Sequence, residues 1–237
     1  MGTEDRKKRE KEQRRNQIID AAETIIFSKG LEQATMDEIA EEAELSKGTL
    51  YLYFKNKTEL YLAITKRGST ILNNQFSKIF ATSHKHSGIE LIRMIGQLYL
   101  DFVREHSNYF KAFIYYESLS NVEELEESEF AQTCEEHREE ALNYMIRALQ
   151  IGMQDGTIDD KYDPKELALV IWASTRGITT VTHMRSIGHH LEMIDEMEIS
   201  IDSLFENFLD LVGTGIATEE ARKKGLTDSH KIETLED

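Results

Sequence analysis

A single proline, Pro164, stands in a chain of 237 residues, and apolar residues return every three or four positions through most of its length. Both facts push the backbone toward helix. Proline inside a helix removes a donor and collides with the preceding turn, so its near absence leaves long helices possible. A period near 3.6 gathers apolar side chains on one helical face, whereas strands need strict alternation, and no stretch here alternates between hairpin turns. The expected fold class is all-α. Cys134 is the only cysteine, so no internal disulfide can form and the core must hold the fold by itself. The N-terminus is charged from Glu4 to Arg15, and no apolar run reaches the ~18 residues that span a bilayer, which predicts a cytoplasmic protein without a membrane segment.

The sharpest local pattern lies in residues 35–57, TMDEIAEEAELSKGTLYLYFKNK. Thr35 with Glu38 forms a capping-box signal, and Met36, Ile39, Ala40 and Ala43 follow on one face. Ser46 offers a second N-cap almost at once. From it a short helix points Leu50 and Phe54 inward and leaves Lys47, Thr49, Tyr51 and Lys55 outside. Two helices joined by one tight turn, the second open on one side, form the pattern of a helix-turn-helix. Upstream, Ile18, Ala22, Ile25 and Ile26, closed by Lys29-Gly30, predict a preceding helix.

Thr35, Ile39-Ala40, Ala43, Leu45-Ser46, the run from Lys47 to Tyr51, Tyr53-Phe54, Lys57 and Leu60 together resemble the DNA-binding domain of TetR/AcrR-type bacterial transcriptional regulators. The resemblance covers roughly residues 13–65 and implies an N-terminal three-helix bundle followed by a larger helical ligand-binding and dimerisation domain. It implies a DNA-binding regulator, a repressor released by a small-molecule effector, and no enzyme, cofactor or metal. One position departs from the pattern. Many members carry glycine where this chain has Glu44, in a turn where a left-handed backbone favours glycine.

The net charge of −16 opposes DNA binding until its distribution is read. Residues 1–57 hold 11 Lys and Arg against 12 Asp and Glu, a net of −1, which leaves −15 to the rest of the chain. Arg6, Lys7, Lys8, Arg9, Lys11, Arg14 and Arg15 make a basic arm running into the first helix; the alternative for the arm is a solvated, disordered leader. The domains expected are residues 1–57 for DNA binding (core 13–57), 58–215 for ligand binding and dimerisation, and 216–237 as a polar tail, a frayed helix or disordered.

Further along, Asn56 with Glu59 opens a long fourth helix to about Phe80, and Ser87 with Glu90 opens a fifth. An aromatic segment spans residues 109–116. The acidic run in residues 122–140 reads as the entry and outer face of a helix reaching Gly156, a solvated face rather than a metal site. Asp163-Pro164-Lys165-Glu166 is the clearest start signal in the chain. The helix it opens is apolar on nearly all sides, and another follows near residues 199–213. Helices near 164–186 and 199–213 are therefore expected to form a homodimer interface; the alternative is that they complete the monomer's own core.

In the expected reader the DNA-contacting residues are Arg14, Arg15, Thr35, Ser46, Lys47, Gly48, Thr49, Tyr51, Tyr53 and Lys57. Lys47 can donate to guanine or phosphate, Gly48 lets the backbone approach, and by resemblance Thr35, Tyr53 and Lys57 hold phosphates of a double-stranded, pseudo-palindromic operator. Tyr51 and Tyr53 can instead be core or rim aromatics, Tyr53 beside Phe54. For the effector, the candidates are Met94, Tyr99, Phe102, Phe110, Phe113, Tyr116, Met145, Trp172, Arg176 and His183, many of which equally suit a core. Arg176 and His183, polar within an apolar helix, would anchor an anion or pair with an acid across the dimer. An enzyme and an all-helical interaction protein are the rival readings. Cys134-x-x-His137, His84-x-His86 and His189-His190 lack a third metal ligand, and no phosphate-loop or nucleophile-elbow motif occurs.

Overall fold

The structure, a computed structural model, describes residues 3–119, 128–186 and 200–227. Among the described residues the elements are helices: α1 (Thr3–Lys29), α2 (Met36–Glu42), α3 (Lys47–Tyr51), α4 (Lys57–Ala81), α5 (Gly88–Glu105), α6 (Ser107–Ser118), α7 (Glu129–Asp155), α8 (Pro164–Ser186), α9 (Ile201–Ile216) and α10 (Glu219–Lys223). The only β-type pairing described is an isolated antiparallel bridge between Ile158 and Ala217.

Capping chemistry fixes most of these boundaries. Asp163 Oδ1 accepts from the amides of Lys165 (2.8 Å) and Glu166 (3.0 Å), and Pro164, whose missing N–H is not needed there, starts α8. Asn56 Oδ1 takes the Glu59 amide at 2.8 Å beneath α4. Ser87 and Glu90 pair at the head of α5. Gly30 and Gly156, at φ 85° and 77°, close α1 and α7 in the left-handed conformation that glycine adopts without strain. The basic arm is helical from Thr3, so the disordered-leader alternative does not hold for its described part.

The chain forms two compact units. The first comprises the residues up to Thr70 together with His106–His137; the second comprises Ile71–Glu105 and the chain from Arg138 onward. The unit that holds residues 1–57 thus runs past that boundary, because α4 is continuous through it and α6 and the head of α7 pack into the same core. Ile18, Ala22, Ile39, Leu50, Phe54 and Leu60 are buried there together, with Phe130 of α7 among them. Phe130 stacks on Phe54 with ring centroids 5.7 Å apart. Arg67 of α4 donates to Asp20 (2.6 Å) and Glu23 (2.8 Å) of α1, and the Tyr109 hydroxyl of α6 donates to Glu23 at 2.9 Å. Burial raises the pKa of Glu23, opposed by Arg67 and Tyr109, and burial with the neighbouring Glu23 pushes Tyr109 up to about 12.

In the second unit α9 packs on α5 and α8. Arg104 of α5 pairs with Asp202 of α9, its Nε 2.8 Å from the carboxylate. Phe76 and Phe80 of α4 meet Tyr144 of α7. The first part of the polar tail expected from residue 216, as far as Thr227, is docked on the second unit. Ile216, Ala217 and Ala221 are buried, Asp159 N donates to Ile216 O at 2.8 Å, and the Thr218 hydroxyl donates to Gly156 O at 2.8 Å. Three small or apolar residues suffice to dock a short helix of otherwise polar composition. The side chain of His183, residues 122–127 of the acidic run, and His189-His190 lie outside the described residues.

Candidate nucleic-acid interface

Local chemistry builds the two short helices. Thr35 caps α2: its hydroxyl oxygen accepts from the Glu38 amide at 3.3 Å, and Glu38 Oε2 accepts from the Thr35 amide at 3.0 Å. Lys29 from the end of α1 holds the same carboxylate at 2.5 Å. Hydrogen bonds from Lys29 and then Thr35 bring the Glu38 pKa down to about 2. At the other end Leu45 N donates to Ala40 O (2.8 Å) and Glu44 N to Glu41 O (2.9 Å), the paired bonds of a Schellman closure. That closure needs a left-handed residue, and Glu44 supplies it at φ 54°. Glu44 thus keeps the left-handed turn that glycine would adopt without strain.

Ser46 caps α3, its Oγ accepting from Thr49 N at 3.1 Å and sharing a hydrogen with Thr49 Oγ1 at 2.8 Å. Leu50 and Phe54 are wholly buried, which roots one face of the helix in the core. Ser46, Lys47, Gly48, Tyr51, Leu52 and Lys55 are exposed, and Thr49 is half-buried. A Cβ added at Gly48 would meet nothing nearer than Ser46 Oγ at 3.9 Å, so that turn presents bare backbone. Lys47 Nζ sits 2.6 Å from Asp37 Oδ1 of α2, and this hydrogen bond raises the lysine's pKa. Both groups are solvent-exposed, a geometry in which an ion pair is worth little and exchanges readily for another anion.

Other expected contacts are engaged inside the protein. Lys57 Nζ donates to Glu32 O (3.0 Å) and Ala34 O (2.9 Å), tying the α1–α2 loop to the start of α4. Arg15 lies over the Phe130 ring at 5.0 Å and 3.8 Å from the Glu129 carboxylate, with its Nε buried. Arg14 is exposed and donates to Gln17 at 2.8 Å, while Gln17 donates to Ala43 O at 2.8 Å and so braces the end of α2 against α1. Tyr53 is half-buried against the core, and Thr35 is exposed with its hydroxyl donating to Glu38 at 2.8 Å. The sequence reading omitted Leu52. Its position midway between two buried residues, Leu50 and Phe54, was the available signal.

The effector candidates fall into different compact units. Phe110, Phe113 and Tyr116 belong to the first, where Phe110 is buried and the Tyr116 hydroxyl bonds Glu135 at 2.5 Å. Met94, Tyr99, Phe102, Met145, Trp172 and Arg176 belong to the second. Phe102 is buried; Met94, Met145, Trp172 and Arg176 are half-buried. The Tyr99 ring stacks on Phe205 at 6.4 Å, and its hydroxyl is buried with no hydrogen-bond partner among the described residues. The Cys134-x-x-His137 pair is used in packing: the thiol contacts Leu62 O at 3.7 Å and burial pushes it up to about 12, and His137 Nδ1 bonds Ser69 Oγ at 2.7 Å.

A capped helix, a tight turn held by a left-handed residue and a second helix with one rooted and one open face form a helix-turn-helix. Residues 18–64 match the model of the bacterial regulatory proteins of the tetR family. The HTH-type transcriptional activator FasR of Mycolicibacterium smegmatis is 32% identical over 97 residues, 41% of this chain and 43% of FasR. The aligned part thus spans less than half of that relative's length. Among solved structures, the transcriptional regulator FadR from Bacillus subtilis, in complex with stearoyl-CoA, is similar with a TM-score of 0.61 and 23% identity, covering 84% of this chain and 98% of FadR. SmeT, the repressor of the Stenotrophomonas maltophilia multidrug efflux pump SmeDEF, aligns with a TM-score of 0.63 and 21% identity over 87% of this chain and 92% of its own. These likenesses extend the all-α fold beyond the reader. No described helix is long and apolar enough to cross a membrane.

Proposed function

We propose that this protein is a ligand-responsive transcriptional repressor acting in the cytoplasm, which binds a pseudo-palindromic operator as a homodimer and leaves it when a small molecule binds. The observation that carries this reading is the open face of α3, with Ser46, Lys47, Gly48 and Tyr51 exposed on a domain of tetR type. In the major groove Lys47 exchanges Asp37 for a guanine edge or a phosphate, and Tyr51 and Thr49 reach bases or backbone oxygens. Thr35 and Arg14 are exposed and are proposed to add phosphate contacts, as are Tyr53 and Arg15 once freed from their packing, while Lys57 ties down the loop that carries Thr35. Residues 1–57 are the DNA-contacting part, and residues 58–215 bind effector and partner.

Dimerisation through α8 and α9 is supported by apolar side chains left uncovered in a single chain: Leu169, Val170 (61% exposed) and Leu211 (73% exposed). The effector is proposed to bind the second unit near Met94, Tyr99, Phe102, Met145, Trp172 and Arg176. The FadR structure with stearoyl-CoA supports a ligand with an apolar chain and an anionic end. α4 contributes to both units, so a ligand favouring one arrangement of the second unit shifts the population competent for DNA.

Selection of binding sites from random duplexes, followed by anisotropy across salt concentrations, tests the reading. The expected result is a palindromic preference, with Lys47→Ala weakening binding about tenfold and flattening the salt dependence. Equal binding to selected and random duplexes would overturn it.

A further inference from the structure

Leu52 is 81% exposed, the most exposed large apolar side chain among the described residues. It ends the recognition helix. At φ −73° and ψ −20° it continues the right-handed turn of α3, and its amide donates to Thr49 O at 3.2 Å. Leu50 precedes it by two residues and Phe54 follows by two, and both are wholly buried. At about 100° of rotation per residue, two steps carry a side chain about 200° round the axis, so Leu52 points away from the rooted face in either direction. It marks the crest of the open face. Gly48, four residues earlier, shares its row and carries no side chain, so that row is bare backbone ending in an isobutyl group.

A leucine at the crest of a groove-entering helix has few suitable partners. Phosphates and most base edges offer only charge or hydrogen-bond groups, which gain nothing from an isobutyl side chain. The one apolar group on the floor of the major groove is the C5-methyl of thymine. We propose that Leu52 is a specificity-determining residue that reads a thymine methyl in each operator half-site. The proposal rests on the DNA-reading function above and continues the same surface by one residue.

The contact excludes water from two apolar surfaces, and it discriminates thymine from cytosine and from uracil, which lack the methyl. The test uses the full-length protein and its selected operator, with each thymine replaced in turn by deoxyuridine. The expected result is one symmetry-related thymine pair at which removal of the methyls weakens wild-type binding about fourfold per half-site. In Leu52→Ala that sensitivity disappears, and the two proteins bind the uracil operator alike. Leu52→Gln is expected to lose the thymine preference while retaining the fold, as judged by an unchanged Tm. If wild type binds selectively but every uracil effect survives in Leu52→Ala, or if the half-site holds no thymine, this proposal is overturned and the regulator reading stands. Absence of selective binding by the wild type overturns both.

Discussion

Glu44 holds a left-handed backbone in the turn that sets α3 against α2, at φ 54°. A residue with a Cβ is strained there, whereas glycine is not. Glu44→Gly is therefore expected to stabilise the first unit by about 1 kcal/mol, after its greater unfolded-state entropy is counted, as read by urea denaturation. Glu38 sits at the opposite end of α2. Its carboxyl is held at about 2 against an ordinary 4.5 by Lys29 and Thr35. An acid with a lowered folded pKa contributes stability above its unfolded value, and that contribution fades as the pH falls through the folded one. Thermal melts should thus show wild type above Glu38→Gln at pH 7, with the gap closing between pH 4.5 and 2. Thr35, Glu38, Ser46 and Glu44 were all readable beforehand, because a cap or a turn is settled among residues a few positions apart. The role of Lys57 was not. Its acceptors, Glu32 O and Ala34 O, lie 25 and 23 residues back, and only the folded loop brings them within 3.0 Å.

Among the elements, α5 and α7 meet closely where Gly88 faces Gly152. A Cβ at Gly88 would lie 2.0 Å from Gly152 N and 2.2 Å from Gly152 Cα, and one at Gly152 would lie 2.4 Å from Ile158 Cδ1. Backbone rather than a movable side chain blocks the first position. Asp155 Oδ2 also accepts from Gly88 N at 2.8 Å, which pins the head of α5 to the end of α7. Gly88→Ala must pry the helices apart and is expected to destabilise by about 2–3 kcal/mol, visible as a lower Tm with the α3 surface unaltered. Helical periodicity announced both elements and their inward faces. The crossing was not announced, because the sequence pattern gives the faces and not which turn of one helix meets which turn of another.

At the scale of the molecule, the decisive feature is apolar surface left exposed among the described residues. Val170 and Leu211 stand on α8 and α9, helices that pack on each other and still leave these side chains in solvent. Placing a carboxylate at each, Val170→Asp with Leu211→Asp, is expected to yield monomers in sedimentation while the helical signal persists. Operator affinity should then fall by about a hundredfold, because two half-sites no longer bind as one. A dimer that survives both changes would place the interface elsewhere. The apolar character of residues 167–184 predicts demand on more than one side of α8. It could not separate core from partner surface, since both ask for the same residue types.

The sequence by itself determined the helical class, most helix starts and the helix-turn-helix, because those follow from periodicity, caps and turns that close within a few residues. Tertiary structure alone decided which charged groups serve the interior, as with Lys57 on its loop carbonyls and Arg15 over Phe130. It alone decided, too, which apolar groups stay uncovered, Leu52, Val170 and Leu211 among them. The physical reason is one of range: a side chain's exposure depends on segments tens to more than a hundred residues away in the chain, and no local pattern records where those segments come to rest.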